Sequence, residues 1–517
     1  MRPYLLQRGD TMELEFERDT IVGYDQVAAI CLCQEETLES IVPDACPDIL
    51  RIVDVYGQAS LLSKQAEEGM AVVNGLVRTV ILYHPEEGDG LRRMEAAVPF
   101  TCRAEAAGLT DRGVVLASPR LRAAEARALN PRKVLLRVDL AVDLIACQPS
   151  QKQVCRCVNE GDDTLCQRQF QGEHTHLFSV QEKPFTFTEN IRIQGIQSGA
   201  AQVLAGHCAA RCTESKLIGN KLILKGAADV ELLLQEPEGA LSVSRETLPI
   251  SQVLEVNGAG EDCICHVSVE TTDFRWDSEI GEDRSLDLSL ELLAQALVFV
   301  RRPVTLLQDL YSTKYQMEVE CVPFALHRVE ENGPRTQPVR ELLETTDGIR
   351  SVVDSRVVLG PVSQSGKGGD HILTTQAQVT ALYLDDRNLV QSIQKTIPVS
   401  CSFPCPEGAH CVCRCPAATD LFATPTAGGI EIRFSVDFFG RFTTESTINT
   451  VEKARTGEVR ENDRQRPSVV LRLAVPGEGL WELAKAYGTT MEGIRQANDL
   501  EDESLPSGRM LLIPGCR

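Results

Sequence analysis

One order of features occurs three times in this chain, and it leaves little choice of fold. The first copy has the β-rich run AVVNGLVRTVILYH (71–84), the charged turn PEEGDG, and AAVPF (96–100). The second has LILKGAADVELLLQ (222–235), the turn EPEGA and ETLPI (246–250); the third has ILTTQAQVTALYLD (372–385), the turn DRN and KTIPV (395–399). The spacing agrees: Tyr83 to Pro99 is sixteen positions, while Leu234 to Pro249 and Tyr383 to Pro398 are fifteen each. A later alternating run closes each copy: KVLLRVDLAVDLIA (133–146), RSLDLSLELLAQALV (284–298) and GGIEIRFSVDFFGRF (428–442). Val134, Leu136, Val138, Leu140 and Val142 alternate with Lys133, Arg137 and Asp139, the period-2 signature of a half-buried strand. The expected fold is mainly β, with three antiparallel sandwich-like or barrel-like repeat domains.

Polar stretches mark the expected joints. PSQKQVCRCVNEGDD (149–163) and HRVEENGPRTQP (327–338) separate the copies, and TESTINTVEKARTGEVRENDRQRPS (444–468) has almost no apolar periodicity. The reading is an N-terminal segment at 1–35 and β domains at 36–150, 175–305 and 335–445. A charged linker at 446–468, expected to act as a tether, then leads to a terminal module at 469–517.

The balance of 52 Lys and Arg against 74 Asp and Glu gives a net charge of −22, which argues against nucleic acid, whose phosphates need a basic face. The N-terminus has no apolar signal-like stretch. The longest apolar run, LLAQALVFV (292–300), is shorter than the roughly 20 residues that span a bilayer. The chain is therefore expected in the cytoplasm without a membrane span, where its 19 cysteines are mostly free thiols. Catalytic motifs are missing: no G-x-S-x-G and no H-E-x-x-H occurs, and GPVSQSGKGGD (360–370) lacks the spacing and Ser/Thr of a phosphate loop. The sequence predicts a protein that is not an enzyme and needs no cofactor.

The terminal module reads β-α-α-β. Leu480, Leu483, Ala484 and Tyr487 fall at i, i+3, i+4 and i+7, and Gly488 stands where a helix-ending glycine belongs. Thr489 with Glu492 matches a capping box for a second helix ending at Asn498, and MLLIP (510–514) is a closing strand. Pro476, Gly477, Leu480, Trp481, Asn498, Gly508, Leu511, Ile513 and Pro514 follow the order of the LysM pattern, which the stretch resembles. That resemblance implies a small βααβ fold with Trp481, Leu483, Ala484, Tyr487, Ile494, Asn498 and Ile513 in its core. It also implies a ligand groove formed by Gly477, Glu478, Gly479 and Leu480 with Leu505, Pro506 and Ser507. N-acetylglucosamine glycans are the usual LysM ligands. Glu478-Gly479 replaces the family's Asp-Thr, which removes a hydroxyl and a short carboxylate and points toward a protein ligand.

The repeats resemble SPOCS domains of endospore-forming bacteria. The motifs are PDACPDIL (43–50), the x-Pro-Phe strand, and Leu129-Asn-Pro-Arg132 before a long strand; the third copy lacks the Asn-Pro-Arg. SPOCS repeats followed by one LysM are the layout of spore-coat morphogenetic proteins, which resemblance implies a mother-cell scaffold at the forespore surface. Its implied partner is a spore-coat protein, a SpoIVA-like ATPase of the coat basement, with other coat proteins meeting the β repeats. The alternative is a peptidoglycan-binding anchor of cortex or wall.

Cysteines recur at i and i+2: Cys31/Cys33, Cys155/Cys157, Cys263/Cys265, and CVCRC at 411–415 after His410. On a strand such pairs face one side. His410, Cys411, Cys413 and Cys415, with Cys401 and Cys405, form a candidate soft-metal set, although CxC is not the C-x₂₋₄-C spacing of structural zinc. Buried apolar thiols and later cross-linking thiols are the other readings.

Overall fold

The computed structural model describes residues 12–515 apart from 89, 160–162, 195, 197–200, 261, 278–279, 281–282, 347, 368–369, 406–407, 415–417, 461–467, 476, 503–504 and 506–507. β1 (Met12–Glu13) pairs with the end of β21 (Gly429–Val459), and the first repeat is built from β2 (Phe16–Ile41), β3 (Ile49–Glu67), β4 (Met70–Pro85), β5 (Arg92–Glu105), β6 (Val114–Asn130) and β7 (Lys133–Val158). The second contains β8 (Leu165–Arg192), β9 (Gln202–Ile218), β10 (Lys221–Gln235), β11 (Leu241–Glu255), β12 (Cys263–Trp276) and β13 (Ser285–Ser312). The third contains β14 (Tyr315–Glu344), β15 (Ile349–Leu359), β16 (Ser363–Lys367), β17 (Asp370–Asp385), β18 (Val390–Pro404), β19 (His410–Arg414), β20 (Ala418–Thr426) and β21 (Gly429–Val459). The terminal module adds β22 (Val469–Leu473), α1 (Leu480–Tyr487), α2 (Met491–Asn498) and β23 (Met510–Pro514).

Each repeat packs an antiparallel meander against long strands. The meanders are β3-β4-β5, β9-β10-β11, and β17 with β18 on one side and β15 and β16 on the other. The long strands of the first two repeats form one six-stranded sheet, β12-β13-β8-β2-β7-β6, joined where Tyr24 meets Leu177. Three separate cores result. Val134, Leu136, Val138, Leu140 and Val142 line the first; Leu286, Leu288, Leu290 and Leu292 the second; Ile430, Ile432, Phe434, Val436 and Phe438 the third. The alternation read from the sequence thus points inward as expected.

Register confirms the repeat. Pro99 faces Leu76, Pro249 faces Ala227 and Pro398 faces Gln376, each seven positions before Tyr83, Leu234 or Tyr383. The extra residue of the first copy lies in its hairpin loop. These prolines sit within strands rather than at strand starts, and the ladder tolerates them because β5, β11 and β18 are edge strands. The two SPOCS-like motifs of the first copy meet: the Arg132 guanidinium donates to the carbonyls of Val42 (2.9 Å) and Cys46 (2.8 Å), binding Leu129–Arg132 to the PDACPD segment.

The expected joints are strands. Residues 149–158 continue β7 and pair with 16–24 of β2, 327–338 lie inside β14, and 446–459 continue β21. The separate N-terminal segment, from residue 12 on, and the tether up to 459 are therefore corrected; 1–11 and 461–467 fall outside the described residues. The physical reason is sharing. The ladders β2–β7, β8–β13 and β14–β21 run on past their sandwiches and pack together as a stalk. Cys155, Val158, Leu307, Leu310, Val451 and Ala454 make one of its layers, and Val154, Val304, Leu306, Phe324 and Leu326 another. Because each ladder supplies only a few apolar residues, none shows a full stripe in sequence. Each ladder also contains a register shift, at Gln26/Ala28, Val298/Phe299 and Asn332/Arg335.

Four further shifts precede an aspartate: Asp54, Asp273, Asp309 and Asp354. In each, the carboxylate accepts the next backbone N–H at 2.8–3.0 Å. Each then meets a cation of another unit: Arg356 on Asp54 at 2.7 Å, Arg78 on Asp273, Lys485 on Asp309 at 2.7 Å, and Arg245 on Asp354 at 2.8 Å. Where the meanders converge, Val53, Tyr56, Leu82, Leu204, Leu233, Leu382 and Val390 form a shared apolar cluster. Beside it Tyr56 donates to Asp354 (2.7 Å) and lies 4.0 Å beneath the Arg356 guanidinium.

Arg245 also holds Glu231 (3.1 Å). Burial, and then Asp354, push the Glu231 carboxyl up to about 8, against the pull of Arg245. Folded protein keeps this proton where the unfolded chain, at the ordinary 4.5, has lost it. The stability tied to it is full below that value and is lost as pH rises toward 8. Glu231→Gln is expected to resist alkali better than the parent. The difference between their denaturant midpoints should grow from pH 5 and level off above about pH 8.

Candidate functional site: the terminal module on the stalk tip

Strands β22 and β23 pair antiparallel from Val469↔Pro514 to Leu473↔Met510, with the two helices between them in sequence. Gly488 ends α1 in the left-handed region (φ 61°), its N–H reaching the carbonyls of Ala484 and Lys485, as the sequence predicts. The second cap differs by one residue. Thr490, not Thr489, is the N-cap, and its hydroxyl accepts the Gly493 N–H at 3.0 Å; Glu492 makes no capping bond back. Thr489 is instead buried, its carbonyl accepting the Tyr311 hydroxyl at 2.7 Å.

Leu483, Ala484, Ile494 and Ile513 are buried in one cluster with Leu511, and Tyr487 packs against it half-buried. Asn498 has a definite task. Its amide donates to the carbonyls of Ile494 and Leu512 and its oxygen accepts the Leu512 N–H, all within 2.6–2.7 Å, locking α2 to β23. Trp481 is buried in the same cluster, but that cluster also includes Tyr311 of the stalk. The two rings meet edge to face, with centroids 4.9 Å apart.

The module is thus docked on the body. The indole N–H donates to Asp309 (2.9 Å), Lys485 reaches both oxygens of the same carboxylate at 2.7 Å, and Arg168 pairs with Glu482 at 3.0 Å. The register shift between Leu307 and Asp309 aims that carboxylate at the module. Asp309 and Tyr311 were not among the candidates from sequence. The signal was an aspartate inside the apolar run VTLLQDLY, which a regular buried strand would not hold unpaired.

The groove residues divide. Gly477 has φ +83° and an open surrounding, and Glu478 is held by Arg472 (2.6 Å), whose guanidinium lies over Tyr487. Gly479 is the α1 N-cap, where a Cβ would strike the Glu482 carboxylate. Leu480 is only 2% exposed and belongs to the core, so it cannot line a groove. Leu505 packs half-buried against that core; Pro506 and Ser507, like Pro476, lie outside the described residues. The two loops are adjacent: Gly508 N–H donates to Ala474 C=O (3.2 Å), and Ala474 N–H to Arg509 C=O (2.9 Å).

The outer face of the small sheet is unusual. Val469, Leu471 and Leu473 on β22, with Met510 and Leu512 on β23, point away from the core and are all exposed, Leu471 to 62%. Leu471 faces Leu512 across the ladder and Leu473 faces Met510, so the patch is continuous, and Val475 extends it.

The cysteine candidates are partly assembled. Cys411 and Cys413 share a face of β19 with sulfurs 2.8 Å apart, and Cys405 is buried, while His410 is exposed and Cys415 lies outside the described residues. Among the described residues no group of three or more His, Cys, Asp or Glu is placed to hold a metal ion, and no helix is long and apolar enough to cross a membrane.

Asp309→Ala in a Trp276→Phe background isolates the dock. Losing the shared acceptor should weaken it by about 1–3 kcal/mol and shift Trp481 emission to the red. An unchanged spectrum would show that Asp309 does not hold the module.

Comparison with known families matches two segments. Residues 475–514 match the LysM domain, and residues 199–277 match SipL, SPOCS domain. The second match covers the meander of the middle repeat and β12. No curated protein and no solved structure matches the chain. SPOCS and LysM are non-catalytic binding or scaffold domains, and the pair fits a sporulation protein related to the coat. The chain carries a SipL-type SPOCS domain followed by a C-terminal LysM domain, and in that domain content it is SipL-like.

Proposed function

We propose that this protein is a non-enzymatic scaffold of spore-coat assembly, working in the mother-cell cytoplasm at the forespore surface. Its LysM module docks a protein of the coat basement, a SpoIVA-like ATPase, and the β repeats offer surfaces to other coat proteins. The observation that carries the reading is the exposed apolar face of β22 and β23. Apolar side chains grip protein better than a polar sugar, and a contiguous patch of this kind commonly marks a protein interface. The ion-paired Glu478 supports it too, since the carboxylate is already engaged by Arg472.

Leu471→Glu with Leu473→Glu changes two outward side chains and leaves the module's core intact. In pull-downs with the SpoIVA-like ATPase the double variant should lose at least tenfold in recovery, as should a chain ending at 468. Undiminished capture by both would reject LysM docking. A second reading, an anchor on peptidoglycan or other N-acetylglucosamine glycans, rests on the LysM match itself. Saturable co-sedimentation of the full chain with purified peptidoglycan, lost on truncation at 468 but kept in the double variant, would favour it.

A further inference from the structure

The third repeat holds a chemical group that neither the scaffold reading nor the LysM match uses. Cys411 and Cys413 stand at i and i+2 on β19, an added strand paired to β21 through Cys411↔Phe442 and Cys413↔Gly440. Strand alternation puts both thiols on one face, and their sulfurs lie 2.8 Å apart, against 3.5 Å for the comparable pair Cys263 and Cys265 on β12. A disulfide bond is about 2.05 Å, so the two atoms need close by less than about 1 Å.

We propose that Cys411 and Cys413 form a reversible dithiol–disulfide site that reacts with low-molecular-weight disulfides. The surroundings suit the chemistry. Cys411 is 2% exposed, whereas Cys413 is half-buried, so Cys413 is the more accessible of the two.

The reaction starts from one thiolate and one thiol. The Cys413 proton passes to Cys411, and the Cys413 thiolate attacks a sulfur of the incoming disulfide, breaking its S–S bond and expelling one thiolate. That thiolate takes the proton back from Cys411 and leaves as a thiol. The Cys411 thiolate then attacks the Cys413 sulfur, forms the protein S–S bond and expels the second thiolate, which is protonated by water. The protein is oxidised by two electrons and the small disulfide is reduced by two.

The test uses the full-length protein in buffers of reduced and oxidised glutathione, acid quenching, alkylation and fragment mass spectrometry of the peptide spanning 396–414. As oxidised glutathione rises, this peptide should lose two hydrogens and two alkyl groups, with the bond located between Cys411 and Cys413. It should do so before the Cys263–Cys265 peptide changes. Cys411→Ser should stop at Cys413 carrying one glutathione, and Cys413→Ser should stay unmodified at the buried Cys411. Full alkylation of both cysteines at every ratio in folded protein would overturn the proposal. So would a bond from either one to Cys401, Cys405 or Cys415.

Discussion

An aspartate placed just after a slip in strand register does more than interrupt a ladder. At Asp54, Asp273, Asp309 and Asp354 one carboxylate oxygen accepts the following backbone N–H. The same side chain then turns toward a cation from another unit. A buried carboxylate is costly unless it is paired, so Asp54, Asp273 and Asp354, all buried, each force a particular neighbour into place. Asp54 requires Arg356 of the third repeat, Asp354 requires Arg245 of the second, and Asp273 requires Arg78 of the first. Hydrophobic contact around Leu82, Leu233 and Leu382 brings the meanders together without direction; the ion pairs give the arrangement its orientation.

Asp309 applies the same device at the other end of the molecule. The ladders β2–β7, β8–β13 and β14–β21 stay paired from the sandwiches into the stalk. A module fixed to the stalk tip by Trp481, Lys485 and Tyr311 is therefore held at a set place relative to the repeats. Docking uses the α1 side of the module, while the apolar face of β22 and β23 stays open. A fixed presentation loses less freedom on binding than a module on a loose tether, which favours affinity.

Much of this was legible in the chain itself. Three copies of one feature order gave the β repeats, and the Pro99, Pro249 and Pro398 registers agree with that reading. The helix faces, the Gly488 stop and the closing strand of the module follow from local periodicity and capping. Leu480 was misplaced because a family groove was carried over where this chain buries the residue. The joints were misread because Val154, Cys155 and Val451 stand among polar residues in their own strands. They become a core only when three ladders meet.

Alternation and turn chemistry act over a few residues, so the sequence by itself determined the strands, their inward faces and the βααβ order of the terminal module. Only the tertiary structure decided that polar segments were stalk, that Trp481 holds the module to the body, and that Cys411 and Cys413 touch. Those outcomes depend on groups brought together from distant parts of the chain or on exact side-chain placement, and local patterning carries no record of either.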